Sequence, residues 1–259
     1  MSHETLFKLA MWETWQNKVK AALPNFAAHP IYVDQSQSEE EYQSVTGYVF
    51  RNLKRRVLDR GGMLRDAEFG ARVVETPHGK LTRMWLDSNV EVDFLRRKFP
   101  HLDKAHVLDI GAGYGRVAVT LQPLTGGCYV CVDPVPVSTM VCRQYCQRFA
   151  PTVIVPSLPD FLDLHNRRFF RFDLAINIHS WNECTREQIS AWLDVLDEAK
   201  IPHLFTVSHG QADGSIEQAY YAWEPGRPSW LPLIEERWEK IAEEHIGFSQ
   251  HPHVLWKRK

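Results

Sequence analysis

Acidic residues and closely spaced glycines lie together where two apolar runs of the sequence end. Asp109 belongs to the run 107–110, which is followed by glycines at positions 111, 113 and 115. A second apolar run ends at Asp133, 20 residues after Gly113. Glycine adopts positive φ easily and lets a ligand approach main-chain N–H groups closely. The pattern therefore predicts a binding site for a small polar ligand at the ends of these two runs.

Two classes of ligand use a glycine-rich turn of this kind. Dinucleotide folds prefer G-x-G-x-x-G/A, in which the third small residue allows close packing around a pyrophosphate. Here the spacing is G-x-G-x-G, and the third position of the dinucleotide pattern holds Arg116. A carboxylate at Asp109 would repel a pyrophosphate but attract an ammonium or sulfonium group. The sequence therefore favours a cationic ligand over a nicotinamide dinucleotide.

The elements that must position these residues form an alternating pattern from His106 onward. The predicted strands are VLDI, CYVCVD, TVIV, FDLAINIH and HLFTVS, with helices over 115–125, 136–149 and 186–199. Fully apolar strands separated by helices are typical of a parallel sheet that is covered on both faces. The tail adds strands over Trp238–His245 and Val254–Lys257, which could pair as an antiparallel edge hairpin. The pattern predicts an α/β fold.

Residues 1–100 differ in character from the rest of the chain. Periodic apolar positions predict helices over 3–23, 39–60 and 90–98, and the turn Pro77-His78-Gly79 predicts a β-hairpin. We expect a mainly helical N-terminal extension ahead of a core that spans 101–259. Within the extension, Tyr48 and the segment 85–88 either pack between helices or close over the site as a substrate lid.

The segment LDIGAGYGR, residues 108–116, resembles the first motif of class I S-adenosylmethionine-dependent methyltransferases. Further landmarks follow in that family's order over about residues 90–210. The resemblance implies a Rossmann-like methyltransferase fold with S-adenosylmethionine as cofactor. It places Asp133 at the ribose hydroxyls, Ser157 at the adenine and Asn177 beside the transferred methyl group. The implied cofactor-binding residues are Asp109, Gly111, Ala112, Gly113, Gly115, Asp133, Pro134, Ser157, Leu158 and Asn177.

His179 and Glu183 are the candidate catalytic residues. The resemblance places the end of the fourth strand, Asn177-Ile178-His179, beside the transferred methyl group. A hydroxyl acceptor must lose its proton, and histidine suits this task because its ordinary pKa is near neutrality. We take His179 as the base, with Glu183 or His209 orienting or replacing it. The alternative is a structural histidine that only forms hydrogen bonds.

A narrower resemblance concerns the acceptor. The motif IGAGYGR, the aromatic-rich N-terminal helices and the segment NIHSWNE are similar to a group of sugar O-methyltransferases. This likeness implies transfer to a hydroxyl of a small molecule, with a sugar as the narrower candidate.

Other functions stay open on the sequence. The fold also serves RNA and protein methyltransferases, and it could persist in an inactive cofactor-binding or scaffold protein. Enzymes that methylate amino groups of nucleic acids usually carry Asn/Asp-Pro-Pro-Tyr/Phe after the fourth strand, where this chain has Asn177-Ile-His-Ser-Trp. Thirty basic against 32 acidic residues leave a net charge of −2, without the general basic field of a nucleic-acid binder. Nucleic acid is therefore disfavoured as a partner.

The five cysteines are too few and too uneven for a disulfide scaffold. Cys128-x-x-Cys131 and Cys142-x-x-x-Cys146 superficially suggest a zinc site. The first two would point to opposite faces of a strand, whereas the other two share one helix face. We therefore expect buried thiols and no metal ion.

Hydropathy gives no sign of a membrane segment. The longest uncharged stretch, 117–132, is shorter than the roughly 20 apolar residues that a spanning helix needs. Glu4, Lys8 and Glu13 interrupt any N-terminal apolar signal region. We expect a cytoplasmic protein without a membrane partner, and the oligomeric state is left open.

Overall fold

The structure is a computed structural model that describes residues 3–7, 12–28, 38–53, 60–169, 171–208, 229–245 and 251–259. The strands in this part of the chain are β1 Val73–Thr76, β2 Gly79–Thr82, β3 Val107–Ile110, β4 Tyr129–Val132, β5 Leu174–Ile178, β6 His203–Val207, β7 Trp238–His245 and β8 Pro252–Arg258. The α-helices are α1 Trp12–Ala21, α2 Glu39–Asn52, α3 Arg83–Lys98, α4 Arg116–Leu121, α5 Pro136–Phe149, α6 Leu158–Asn166, α7 Arg186–Glu198 and α8 Leu231–Glu235.

A six-stranded sheet with the order β4-β3-β5-β6-β8-β7 forms the centre of the molecule. The strands β3, β4, β5 and β6 are parallel, whereas β8 runs antiparallel to β6 and β7 antiparallel to β8. This arrangement confirms the predicted α/β fold with its antiparallel edge hairpin. The chain leaves β3 for β4 on one side and returns to β5 on the other side. The strand order therefore reverses at β3, where open α/β sheets bind ligands at the carboxyl ends of their strands.

Alternating side chains of the strands bury two apolar clusters, one on each face of the sheet. One cluster holds the strand residues Val107, Cys131, Ile176 and Phe205 together with helices α3, α4 and α5. The other holds Leu108, Ile110, Val130 and Ala175 together with α6, α7 and α8. Helices thus cover both faces, as the fully apolar strands predict.

The predicted strand TVIV is reduced to one bridge. Ile154 pairs in parallel with Val130: its N–H donates to the Tyr129 carbonyl, and its carbonyl accepts from the Cys131 N–H, both at 2.9 Å. Prolines at positions 151 and 156 flank the run, and proline has no N–H to donate to a ladder. Only the middle of the run can therefore extend the sheet.

The N-terminal elements are shorter than predicted, and one of them begins earlier. The predicted helix 3–23 becomes a 3₁₀ turn, His3–Phe7, followed by α1, and the predicted helix 39–60 ends as α2 at Asn52. Residues 8–11 and 54–59 of those two predictions lie outside the described residues. Helix α3 begins at Arg83 because the Thr82 side chain caps it by accepting from the Trp85 N–H at 3.4 Å.

Helix α3 packs against the central sheet, although the sequence analysis assigns its residues to the N-terminal extension. Val92, Phe94 and Leu95 of this helix lie in the same buried cluster as β3. A second link is Asp66, whose buried carboxylate accepts hydrogen bonds from Thr82, Tyr114 and Tyr145 at 3.1, 3.1 and 2.6 Å. Part of the predicted extension therefore shares a core with residues 101–259. Among the described residues, no helix is long and apolar enough to cross a membrane.

Candidate functional site

The glycine-rich turn between β3 and α4 has the backbone conformation that its sequence predicts. Gly111, Gly113 and Gly115 have φ angles of +67°, +58° and +90°. L-residues with a Cβ atom rarely adopt these angles, so glycine is required for a conformational reason. Residues 111–113, Ala112 included, are half-buried. Their backbone therefore stays accessible at the carboxyl edge of the sheet.

The turn after β5 packs directly against this glycine-rich turn. A Cβ atom on Gly111 would lie only 2.0 Å from the Ser180 Oγ. Asn177 holds the two turns together, because its side-chain amide donates to the Ile110 carbonyl at 3.0 Å and to the Ser180 Oγ at 2.6 Å. Its Oδ1 accepts from the Trp181 N–H at 3.2 Å. Asn177, which the resemblance assigns to the cofactor site, thus links the two turns.

Replacing Gly111 by alanine should lower the free energy of unfolding by about 1–3 kcal/mol, because the new methyl group overlaps Ser180 and the positive φ is unfavourable for alanine. Thermal or urea unfolding measures this change. The double variant Gly111→Ala/Ser180→Gly should recover the part caused by the overlap. Gly47→Ala, in helix α2, is the matched control, and its free energy of unfolding should equal or exceed that of the wild type. Equal stability of Gly111→Ala and wild type would contradict the close packing of Gly111 against Ser180.

Asp133 lies at the carboxyl end of β4 and faces the glycine-rich turn. Its Oδ2 accepts from the Gly113 N–H at 3.1 Å, and its Oδ1 accepts from the Val135 N–H at 2.8 Å. Burial raises the pKa of Asp133 to about 7, and the charge of Glu183 adds to this rise against the two backbone hydrogen bonds. A carboxylate offers about four acceptor positions. Two further donors, such as a pair of vicinal hydroxyls, can still bind there.

Asp109 lies deeper, on the sheet face that α3, α4 and α5 cover. Only 3% of the residue is exposed, and the Tyr129 hydroxyl donates to its Oδ2 at 3.0 Å. Burial raises the pKa of Asp109 to about 7, although this hydrogen bond and the charge of Arg116 act in the opposite direction. The Asp109 carboxyl group thus forms its hydrogen bond with Tyr129 inside the core.

Ser157, Leu158 and Pro134 lie at the same edge of the sheet. Ser157 caps helix α6 by accepting from the Asp160 N–H at 3.3 Å, and it follows the bridge residue Ile154. Leu158 is buried in the cluster beneath α6, whereas Pro134 is half-buried directly after Asp133. Ser157, the residue predicted to contact the adenine, is therefore a half-buried helix cap.

His179 follows β5 in an unusual backbone conformation. Strand β5 ends at Ile178, and His179 has φ +64° and ψ −30° while its N–H donates to the Val207 carbonyl at 2.7 Å. The alternation of side chains along a strand therefore no longer determines its direction relative to Asn177. A histidine with positive φ is uncommon, and such strained residues concentrate at functional sites.

The ring of His179 meets a histidine from the C-terminal hairpin. The ring centroids of His179 and His251 are 4.8 Å apart, at 68°. His251 directly precedes β8, in which His253 pairs with Val207 at the carboxyl end of β6. Burial lowers the pKa of His251, partly offset by the charge of Asp87. Sequence reasoning missed His251, although the predicted antiparallel hairpin was the signal that could have found it.

The other residues that the sequence singles out are Glu183, His209 and the lid candidates. Glu183 ends the turn Ser180–Glu183, and its charge contributes to the raised pKa of Asp133. His209 lies outside the described residues. Of the lid candidates, Trp85 is buried with α2 residues, which fits packing between helices. Asp87 is half-buried, and its charge reaches His251.

No protein-family model and no curated protein matches this sequence. Solved structures do match it. An O-methyltransferase from Bacillus cereus in complex with SAH superposes with a TM-score of 0.56 and 13% identity, covering 86% of this chain and 100% of that one. The PH0226 protein from Pyrococcus horikoshii OT3 superposes with a TM-score of 0.52 and 14% identity, covering 69% of this chain and 92% of that one. Magnesium protoporphyrin IX methyltransferase from Synechocystis PCC 6803 with bound SAH superposes with a TM-score of 0.50 and 13% identity, covering 79% of this chain and 98% of that one.

The chain therefore has the fold of the class I S-adenosylmethionine-dependent methyltransferases. This confirms the fold that the sequence resemblance predicts.

Proposed function

We propose that the protein binds S-adenosylmethionine and transfers its methyl group to a hydroxyl of a small molecule. The observation that carries this proposal is the joint geometry of the glycine-rich turn and Asp133. Three glycines with positive φ shape the turn at the point where strand order reverses, and the Asp133 carboxylate accepts a hydrogen bond from the N–H of the middle glycine. Folds of this kind bind nucleoside ligands at that edge.

The residues present fit this cofactor. Asp133 keeps acceptor capacity for both ribose hydroxyls, and the adjacent Pro134 is half-buried beside it. Ser157 and Leu158 follow at the neighbouring edge, where they would border the adenine. Asp109 would attract the positive charge of the cofactor from behind the turn, since opposite charges attract most strongly where water is excluded.

The reaction needs alignment and removal of a proton. S-adenosylmethionine, when bound, supplies a methyl group activated by a sulfonium. We propose that His179 accepts the proton of the acceptor hydroxyl at its imidazole. His251 would hold the ring of His179 in place, and Glu183 would assist from the side of Asp133. Holding the reactants in line contributes up to about 7–11 kcal/mol where geometry is ideal.

A small hydroxylated acceptor fits the surroundings of His179 better than a nucleic acid does. Burial lowers the pKa of His251, which disfavours a positive charge beside His179. The net charge of −2 gives no general attraction for polyanions. A sugar is the narrower candidate, and it rests on the sequence resemblance alone.

Calorimetric titration with S-adenosylhomocysteine, the demethylated cofactor, tests the binding site. Asp133→Ala should weaken binding by about 1.5–3 kcal/mol, the range for a charge-assisted hydrogen bond. Binding to wild type should weaken as the pH falls below about 7, because protonation removes an acceptor of Asp133. The affinity of Asp133→Asn for S-adenosylhomocysteine should depend less on pH than that of the wild type. Any pH dependence that arises from Asp109 should remain.

Two comparisons make this test specific. Asp163→Ala alters an exposed aspartate on α6 and should leave the affinity unchanged. NADH should give no stabilisation, whereas S-adenosylhomocysteine at 100 times its Kd should add about 2.7 kcal/mol. A wild-type affinity in Asp133→Ala, or stabilisation by NADH alone, would overturn the proposed cofactor site.

Transfer of labelled methyl groups tests the acceptor class. The protein should methylate compounds from a panel of small alcohols and sugars and should leave RNA and protein unlabelled. Label recovered only in RNA or protein would contradict a small-molecule acceptor and would identify RNA or protein as the acceptor instead. Cofactor binding without any transfer, across acceptors of all these classes, would favour the inactive scaffold protein.

A further inference from the structure

Three cysteines converge behind the glycine-rich turn. Cys131 lies on β4, and Cys142 and Cys146 lie one turn apart on α5. Their Sγ atoms are all within 4.8 Å of one another, and those of Cys142 and Cys146 are 3.9 Å apart. All three residues are at most 1% exposed. The sequence predicted that Cys142 and Cys146 share a helix face, but it did not predict that Cys131 meets them.

The other two cysteines lie apart from this group. Cys128 and Cys184 pack against the apolar cluster on the opposite face of the sheet. The zinc-like spacing that joins Cys128 to Cys131 is therefore not realised, because neighbouring odd and even positions of a strand face opposite ways. The two remote thiols provide matched controls within the same chain.

The spacing of the three sulfur atoms suits a trigonal metal site. With metal–sulfur bonds of about 2.3 Å, three sulfurs around one ion in a plane lie about 4.0 Å apart. Structural zinc takes four protein ligands, whereas this group offers three among the described residues. Soft thiolate donors without oxygen or nitrogen ligands suit Cu(I), zinc and iron–sulfur clusters. Three buried sulfur ligands, one fewer than structural zinc takes, fit Cu(I) better than zinc.

We propose that Cys131, Cys142 and Cys146 form a binding site for one monovalent copper ion. Three copper–sulfur bonds form as the three S–H bonds break and their protons leave for solvent, because the thiolate is the form of cysteine that binds metals. The copper ion gives up the ligands with which it arrives. The ion stays Cu(I), so no oxidant or reductant is needed.

The site would lie directly against the turn that the proposed function uses. A Cβ atom on Gly115 would be 2.8 Å from the Cys146 Sγ and 3.0 Å from the Cys142 Sγ. The thiols therefore support the backbone at the start of α4. Copper binding itself needs no cofactor, so it can be measured whether or not the proposed function is right.

Anaerobic titration of the full chain with Cu(I), supplied as its acetonitrile complex against a competing Cu(I) chelator, tests the proposal. Wild type should bind one equivalent and develop a thiolate-to-copper charge-transfer absorption, with a raised Tm. Cys128→Ala/Cys184→Ala should behave in the same way. Cys131→Ala, Cys142→Ala and Cys146→Ser should each lose affinity by about 100-fold or more, since even outer-shell changes cost 10–100-fold.

Binding of S-adenosylhomocysteine and the circular dichroism of each metal-free variant show whether it is folded. A folded single variant that binds copper like wild type would overturn the site. The site would equally be overturned if wild type fails to bind one equivalent, or if the double variant of the remote cysteines loses the absorption. Failure of S-adenosylhomocysteine to bind wild type would instead count against the proposed function alone, with circular dichroism then reporting the fold.

Discussion

Replacing His179 by alanine is expected to lower kcat by about 10²–10⁴-fold and to leave the affinity for S-adenosylhomocysteine nearly unchanged. The reason is its position: His179 lies just beyond the carboxyl end of β5, and its ring contacts the ring of His251. Loss of a proton acceptor affects the transition state, whereas the proposed cofactor contacts lie at Asp133 and the glycine-rich turn. Steady-state kinetics with an identified acceptor, together with calorimetry, measure both quantities.

The pH profile separates a base from a structural histidine. Wild-type kcat/KM should fall at low pH as the base becomes protonated, and His179→Gln should lose that limb together with most of its activity. His251→Ala should lower kcat less and shift the limb, because His251 adjoins the base without being it. His101→Ala, on an exposed surface residue, is the control and should leave kcat unchanged.

Two outcomes would contradict the assignment. If His179→Ala keeps the wild-type kcat but melts at a lower temperature, the residue is structural. If His251→Ala shows the larger loss and removes the acidic limb, the base is His251. Neither result would affect the proposed cofactor site, because that site is measured by binding.

Replacing Glu91 by alanine should lower the free energy of unfolding by about 3–5 kcal/mol, the usual cost of leaving one partner of a buried ion pair alone. Two nitrogens of Arg116 donate to the Glu91 carboxylate, at 2.6 and 2.7 Å, and Ser88 accepts a third hydrogen bond at 3.0 Å. Glu91 is 3% exposed and the Arg116 side chain 14%. Removal of the carboxylate would strand the guanidinium between α3 and α4.

Chemical denaturation of paired variants checks this expectation. Glu91→Leu/Arg116→Met, which removes both charges, should recover most of the lost stability. The exposed pair of Asp163 and Arg167 is the control, and Asp163→Ala should cost less than about 1 kcal/mol. A Glu91→Ala protein that unfolds within about 1 kcal/mol of wild type would show that the pair does not join the two helices as described.

Local sequence information was sufficient for the central part of this protein. Glycines at 111, 113 and 115 encode the turn because each position needs a positive φ, and this requirement is local. The apolar runs encode parallel strands because both faces of the sheet are covered, so period-2 alternation is absent. Asp133 could be placed at a strand end for the same reason, and its bond to Gly113 agrees with that placement.

Contacts between distant parts of the chain were decided by the tertiary structure alone. His251 meets His179 only because β8 inserts antiparallel beside β6, and Cys131 meets Cys142 and Cys146 only because α5 packs on that face of the sheet. The positive φ of His179 is a local feature, but the sequence gives no sign of it because most histidines adopt negative φ. Side-chain neighbours depend on how elements pack, whereas turns and strands depend on residues close in sequence.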